Sequence, residues 1–325
     1  MEHRLKEFAK SALFKDAIEV TAKAMNLPTV FVEKDFWVSY VLYQLAHSEH
    51  SSQVVFKGGT ALSKAYHLLE RFSEDVDLAL IPDSTRSANR TKNLLKTISS
   101  EITQGLEPID SPITSKGSKY WKIVYQYPQT FKAIEWGQVS NVLILEINAF
   151  THPFPHQERI IQSYIGSHLT KAGFTTEVKS FSLEPFSIQV LDLERTFIEK
   201  VLSLVRASYS SDPTAELRNK IRHFYDLHKL VEYGILAHPT TPTSLNQRFK
   251  EAQEDDAQNS QFQGEWLNKP LIDSVIFREP TAFWETMHPV YERDFGLLVY
   301  GKLPPKSDII RALEKIATFL QQMRL

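Results

Sequence analysis

The chain has 325 residues, 42% hydrophobic and 23% charged, with 37 Lys and Arg against 39 Asp and Glu for a formal net charge of −2. That length buries one large core or two ordinary ones, and the near-neutral balance argues against a broadly basic nucleic-acid coat, although a local basic groove can hide in the average. With no cysteine, disulfides, thiolate zinc sites and cysteine nucleophiles are excluded.

No apolar run approaches the roughly 20 residues of a bilayer span. Met1-Glu2-His3-Arg4-Leu5-Lys6 lacks a signal-peptide core, which predicts a cytoplasmic protein with no membrane partner. Residues 4 to 24 carry apolar positions at helical spacing, Leu5, Phe8, Leu13, Ala17, Ile18 and Val20 among them, and Leu27-Pro28 ends that helix. A second helix is expected from Thr29 toward Ala46, with Glu33, Lys34 and Asp35 on a solvated face making local ion pairs.

Residues 54 to 80 stand out. An apolar run, Val54-Val55-Phe56, leads to Lys57-Gly58-Gly59-Thr60, a helical stretch through Lys64 follows, and Arg71-Phe72-Ser73-Glu74-Asp75-Val76-Asp77-Leu78 opens a second apolar run. On a strand, alternate side chains share a face, so Asp75 and Asp77 emerge together while Val76 and Leu78 go to the other side. Two carboxylates about 5 Å apart repel by roughly 3 kcal/mol at an effective dielectric of about 20. A divalent cation removes that cost, and oxygen-only ligands favour Mg²⁺ or Mn²⁺. Gly58 and Gly59 allow backbone N–H groups to approach an anion, and Thr60 is placed to cap the next helix. Taken singly, Gly-Gly-Thr is an ordinary strand-to-helix turn and Asp-Val-Asp a solvated edge strand; joined in this order they read as a site for a phosphate and a metal.

Farther on, a polar helix spans about Asn89 to Gln104, a strand falls within Lys116 to Tyr127, and a strong strand runs from Val142 to Phe150, interrupted by Glu146. An unpaired buried carboxylate there is expensive, so Glu146 is either functional or an edge residue paired with a lysine. His152 and His156 sit near prolines in a loop, and Ser182 to Phe186 marks a crossing between domains, giving domains 1–186 and 187–325. From Ile188 the pattern turns helical: Phe197, Ile198, Val201, Leu202, Leu204 and Val205 form an apolar stripe with Lys200 at its edge, where a snorkelling lysine is the plain explanation. After a polar break at Ser208 to Pro213, a helix over Ala215 to Tyr233 buries Leu217, Ile221, Phe224, His228 and Val231 and leaves Arg222, Asp226 and Lys229 on its other side, with Arg222–Asp226 a simple helix ion pair. Residues 240 to 265 read as a loop or weak helix, and helices at Phe283 to Tyr291 and Ser307 to Met323 complete a bundle.

The Gly58-Gly59-Thr60 turn, helix and Asp75-x-Asp77 strand closely resemble the signature of the DNA polymerase β-like nucleotidyltransferase superfamily. Within it, Gly58 to Leu62 with Arg71 to Leu78 is similar to the AbiEii/AbiGii toxin family, the nucleotidyltransferase half of a bacterial toxin–antitoxin and abortive-infection pair. Three more segments resemble the family: Glu33-Lys34-Asp35-Phe36, Arg195-Thr196-Phe197-Ile198-Glu199-Lys200, and Arg222-His223-Phe224-Tyr225-Asp226-Leu227. Many relatives carry Asp where this chain has His223, so a base role does not transfer to that position.

The resemblance implies an α+β fold, a polymerase β-like palm of mixed sheet and flanking helices followed by a helical domain, with the active site between them. It implies that Asp75 and Asp77 are catalytic metal ligands joined by Glu146 as a third carboxylate. Gly58, Gly59, Thr60 and Lys64 would cradle the β- and γ-phosphates of an NTP, Lys200 would neutralise developing charge, and Asp226 would position the acceptor or act as base. The acceptor implied is a tRNA 3′ end, held in a groove with Arg195, Arg222 and Lys229; the partner implied is an antitoxin encoded nearby, and the outcome is blocked translation and growth. Alternatives of other classes are an NTP-binding interaction module without transfer and a kinase-like toxin.

Overall fold

The computed structural model describes residues 2–73, 75–131, 142–237 and 242–323; Glu74 of the Asp-x-Asp segment lies outside them. Its contacts divide the chain into two compact units, one made of Met1–Tyr66 with Phe72–Leu191, the other of His67–Arg71 with Asp192–Leu325.

The first unit contains, in chain order, α1 (Glu2–Lys10), α2 (Ala12–Met25), α3 (Thr29–Ala46), β1 (Val54–Lys57), α4 (Gly58–Lys64), β2 (Asp75–Leu80), α5 (Ala88–Ile102), β3 (Glu107–Ile109), β4 (Ser115–Lys116), β5 (Tyr120–Gln126), β6 (Val142–Asn148), β7 (His156–Ile161), α6 (Tyr164–Lys171), α7 (Thr175–Ser180) and β8 (Phe186–Leu191). The strands form one sheet in the order β3-β5-β6-β2-β1-β8-β7, with β4 paired to β5. Pairs β2–β6 and β1–β8 are parallel and the others antiparallel, the mixed sheet of an α+β fold.

Alternation gives the sheet two unlike faces. Val76, Leu78 and Leu80 of β2, Leu143, Leu145 and Ile147 of β6, and Trp121, Ile123 and Tyr125 of β5 join the core with Phe36, Val38, Val41 and Leu45 of α3 and Leu95, Ile98 and Ile102 of α5. Asp75 and Asp77, offset by one position from Val76 and Leu78, therefore emerge from the opposite face.

α3 is apolar around its whole circumference and buried from Val30 to Leu45, the pattern of a helix packed on all sides. Glu33, Lys34 and Asp35 are consequently not on a solvated face. Glu33 accepts backbone N–H bonds from Thr130 (2.5 Å) and Phe131 (3.1 Å), Lys34 lies 5.8 Å from the Phe72 ring centre, and Asp35 accepts from Lys64 Nζ and from Tyr164 N at 2.7 Å. Burial raises the Glu33 pKa above its ordinary value, and the two backbone donors offset part of the cost.

Other expectations also change. The first helix is two, α1 and α2, parted at Ser11, and Leu13 and Val20 face outward. Residues 188 to 191 belong to β8, whose Phe56↔Val190 pairing draws them into the sheet before the chain turns helical.

The second unit is helical: α8 (Leu193–Ser208), α9 (Pro213–Asn219), α10 (Ile221–Tyr233), α11 (Pro242–Ala257), α12 (Val275–Arg278), α13 (Pro280–Val290) and α14 (Lys306–Met323). Asp192 caps α8 by accepting from Glu194 N at 2.9 Å, and Gly234, at φ 95°, ends α10 in the left-handed conformation that glycine tolerates best. Its core includes Phe197, Val201, Phe224, Leu245, Phe249, Trp284, Ile309 and Leu313. The helix expected over 215 to 233 breaks at Lys220, and the stretch expected to be loop or weak helix forms α11, which buries Leu245, Phe249 and Ala252. Among the described residues no helix is long and apolar enough to cross a membrane.

Candidate functional site

Sheet register builds the site in the first unit. Asp77 lies opposite Lys57 on β1 and opposite Glu146 on β6, and Glu146 lies opposite Lys122 on β5. Register partners point to the same side, so a row Lys57–Asp77–Glu146–Lys122 crosses four strands, with Asp75 two positions from Asp77 on that face. All five are half-buried. Glu146 accepts from Tyr120 Oη at 2.6 Å and pairs with Lys122 Nζ at 2.5 Å. Burial, that hydrogen bond, and the charges of Glu146, Asp77 and Asp75 together push the Tyr120 phenol well above its ordinary value, so it remains a donor.

Gly58 ends β1 beside this row at φ 80°, and a Cβ there would fall 2.2 Å from Asp77 Oδ2. Any other residue would be strained and would occupy the space over the carboxylate. Thr60 does not cap α4. The helix starts at Gly58 itself, which puts Thr60 within the first turn, where its hydroxyl donates to the Asp75 carbonyl at 2.5 Å and lies 2.9 Å from Ser73 Oγ. That bond pins the backbone from which Asp75 projects. The donor set, oxygen-only and on neighbouring strand positions beside an open glycine, fits a hard divalent cation; Asp75 and Asp77 would hold it, joined by Glu146 if its lysine contact is exchanged.

The second unit holds a different arrangement. Asp226 on α10 is fully buried and receives Arg71 Nε at 2.7 Å, Arg71 Nη2 at 2.8 Å and Lys200 Nζ at 2.7 Å. Burial alone would raise its pKa, but the two cations and their hydrogen bonds win and hold the carboxyl far below its ordinary value. Arg71 is itself fixed by its neighbours: it bridges to Val299, while the Glu70 carbonyl accepts from Tyr300 N (3.0 Å) and Gly301 N (3.2 Å), and Glu70 N donates to Tyr225 Oη (3.2 Å). His223 Nδ1 is buried without a hydrogen bond, and burial together with Lys200 and Lys220 lowers the imidazole pKa well below its usual value.

With both arrangements in view, comparison with known families is decisive. The model described as "Nucleotidyl transferase AbiEii toxin, Type IV TA system" matches residues 40–308. The chain belongs to the AbiEii family of nucleotidyltransferase toxins. Two solved structures are similar over nearly the whole length. A proposed nucleotidyltransferase from H. pylori is 17% identical with a TM-score of 0.45, covering 92% of this chain and 96% of the other. MenT4, a nucleotidyltransferase toxin from Mycobacterium tuberculosis H37Rv, is 15% identical with a TM-score of 0.47, covering 95% and 99%. Among curated proteins there is no match.

In this AbiEii-family chain, Asp75, Asp77, Glu146 and Gly58 come together in the first unit, while Lys200 and Asp226 meet in the second. Glu146 is not at an edge; β6 runs between β2 and β5, although the lysine partner does exist as Lys122. Lys64 is buried, with its ammonium given to Asp35 and resting 5.4 Å from the Tyr164 ring centre, an arrangement that leaves it poorly placed to cradle phosphate. Asp226 is fully buried with both oxygens taken by Arg71 and Lys200, and its pairing with Arg71 stands where the Arg222–Asp226 pair was expected. Nor do Arg195 and Lys229 line an open basic groove: Arg195 is buried against Asp255 (2.7 Å) and Glu199 (3.4 Å), and Lys229 pairs with Glu70 (3.6 Å) and Glu232 (3.5 Å). His156 opens β7 instead of lying in a loop, and with His152 it lines a cavity of about 650 Å³ near the C-terminal ends of β2 and β6. Tyr120, Lys122 and Arg71 received no role from sequence; the alternation of Tyr120 and Lys122 around Trp121 was the available signal for the first two.

Proposed function

We propose that the chain is a divalent-metal-dependent nucleotidyltransferase toxin that moves a nucleotide from an NTP to the 3′ hydroxyl of a tRNA, arresting translation and growth as in abortive infection. The observation carrying this reading is the placement of Asp75, Asp77 and Glu146 on one face beside Gly58. In the reaction an acceptor hydroxyl attacks the α-phosphorus in line and pyrophosphate leaves. Asp75, Asp77 and Glu146 would hold Mg²⁺ or Mn²⁺, which when bound would supply charge neutralisation and activation of the attacking oxygen.

The chain's own groups do the remaining work. Gly58 leaves room for the Asp77 carboxylate, the Gly58-Gly59 backbone would receive phosphate oxygens, and Thr60 fixes the Asp75 backbone. Tyr120 and Lys122 hold the Glu146 carboxylate in a fixed orientation on the face it shares with Asp77. Lys200 is assigned to the nucleotide phosphates: an ammonium has three N–H donors and Asp226 takes one. Asp226 and Arg71 are its positioning residues. The tRNA end rests on the family resemblance and on the need for a flexible terminal hydroxyl.

Incubation with α-labelled NTPs, total tRNA and Mg²⁺ tests the reading. Wild type should label RNA and Asp75→Ala should not. Label on protein alone overturns the RNA acceptor, and transfer from γ-labelled NTP alone supports a kinase. Normal NTP binding with no transfer under any condition supports a binding module.

A further inference from the structure

On the sheet face opposite the Asp77 row, α3 and α5 pack side by side. Glu49 and His50, in the turn after α3, meet Glu101, in the last turn of α5; one ligand atom from each lies within 4.8 Å of the others. His50 is 6% exposed. Its Nε2 is 3.4 Å from Glu101 Oε2 and 3.8 Å from Glu49 Oε1, yet neither ring nitrogen makes a hydrogen bond.

Two carboxylates face one imidazole here, and among the described residues no lysine or arginine pairs with either carboxylate. If the neutral ring carries its proton on Nδ1, the Nε2 lone pair faces two anionic oxygens; if the proton is on Nε2, it points at acceptors it does not bond. A buried imidazole in either state loses free energy for want of a partner. Glu101 adds to the imbalance, because a carboxylate in the last turn of a helix opposes the macrodipole, and α5 has no basic residue in that turn. A cation among the three side chains resolves all three problems.

We propose that Glu49, His50 and Glu101 form a second cation site, for a late first-row divalent ion of the zinc class. One imidazole nitrogen with two carboxylate oxygens is a donor set for zinc, cobalt or nickel, whereas magnesium prefers oxygen alone. The glutamate side chains are 82% and 45% exposed, so water completes the coordination shell. The ion ties the turn between α3 and β1 to the end of α5, and its role is to brace the helical layer behind the candidate active site.

The test uses the full-length protein carrying Asp75→Asn and Asp77→Asn, so that the carboxylate row does not contribute. Zinc titrated by calorimetry should bind at one equivalent, and that equivalent should vanish in Glu101→Gln and in His50→Gln. Cobalt in place of zinc should give visible absorption bands that depend on His50. Saturating zinc should raise the melting temperature of the parent and leave Glu101→Gln unchanged. If His50→Gln does not fold, Glu101→Gln decides, since its side chain is nearly half exposed. Zinc uptake that is absent in the parent, or unaltered by Glu101→Gln, overturns the site.

Discussion

On the sheet of the first unit, three half-exposed carboxylates share a face with two lysines at its flanks; in the second unit, one fully buried carboxylate is gripped by two cations. Identical chemistry serves two purposes. The row keeps anionic charge near water, where an incoming cation can be rewarded by it. Around Asp226 the charge is neutralised internally, and the excess is positive, since Arg71 and Lys200 together outweigh one carboxylate. The first design stores affinity, and the second stores orientation.

The sharpest way to break this comparison is Asp77→Asn. It should lower nucleotide transfer by at least about a hundredfold, as loss of a metal ligand does, while the urea midpoint stays within the small range of a half-exposed substitution. A variant that unfolds would move Asp77 into the structural class with Asp226.

Asp226→Ala should do the reverse. Leaving two buried cations without their anion costs about 3–5 kcal/mol, read as a lower urea midpoint at pH 7. The pH dependence has a definite sign. Asp226 has a folded-state pKa below its unfolded value, so its contribution is complete above about pH 4 and is lost as pH falls toward the folded value. The stability gap between wild type and Asp226→Ala should therefore be flat from pH 5 to 8 and shrink in stronger acid.

Lys200→Met sharpens the contrast. Arg71 still meets Asp226 through two bonds and the apolar stem is kept, so about 1–2 kcal/mol is lost, whereas transfer should fall far more than stability. Early melting with full transfer would return Lys200 to a purely structural role.

The smallest effect belongs to His223. Its folded pKa is depressed, so as pH falls below about 6.5 the unfolded chain takes up the proton first and the folded state loses up to about 1.4 kcal/mol per pH unit. His223→Gln should lose less stability than wild type between pH 7 and 5 in chemical denaturation; equal slopes would refute the assignment.

Legibility in the sequence followed the range of the interaction. Asp75 and Asp77 share a face because a strand alternates, and Gly58 announces itself within a few residues. Glu146 was marked by its cost in an apolar run, but its place beside Asp77 depends on β2–β6 register. Alternation around Trp121 puts Tyr120 and Lys122 on one face, but their meeting with Glu146 depends on a further register, β5–β6. The charged triplet of α3 misled because its partners are distant: Glu33 meets Thr130 97 residues away, and Asp35 meets Tyr164 129 residues away. Helical spacing offered Arg222 to Asp226, and the fold supplied Arg71 from 155 residues upstream.

That last pairing makes the chain hard to divide. His67–Arg71 is a five-residue loan from the middle of one unit to the other, so a fragment starting at Asp192 carries Asp226 and Lys200 but lacks the arginine that completes their pairing. During synthesis Arg71 is made long before Asp226, and the second unit cannot finish its core until both are out of the ribosome. Recombination at Leu191 would face the same obstacle, since exchanging the helical unit for a relative's would leave the borrowed segment behind.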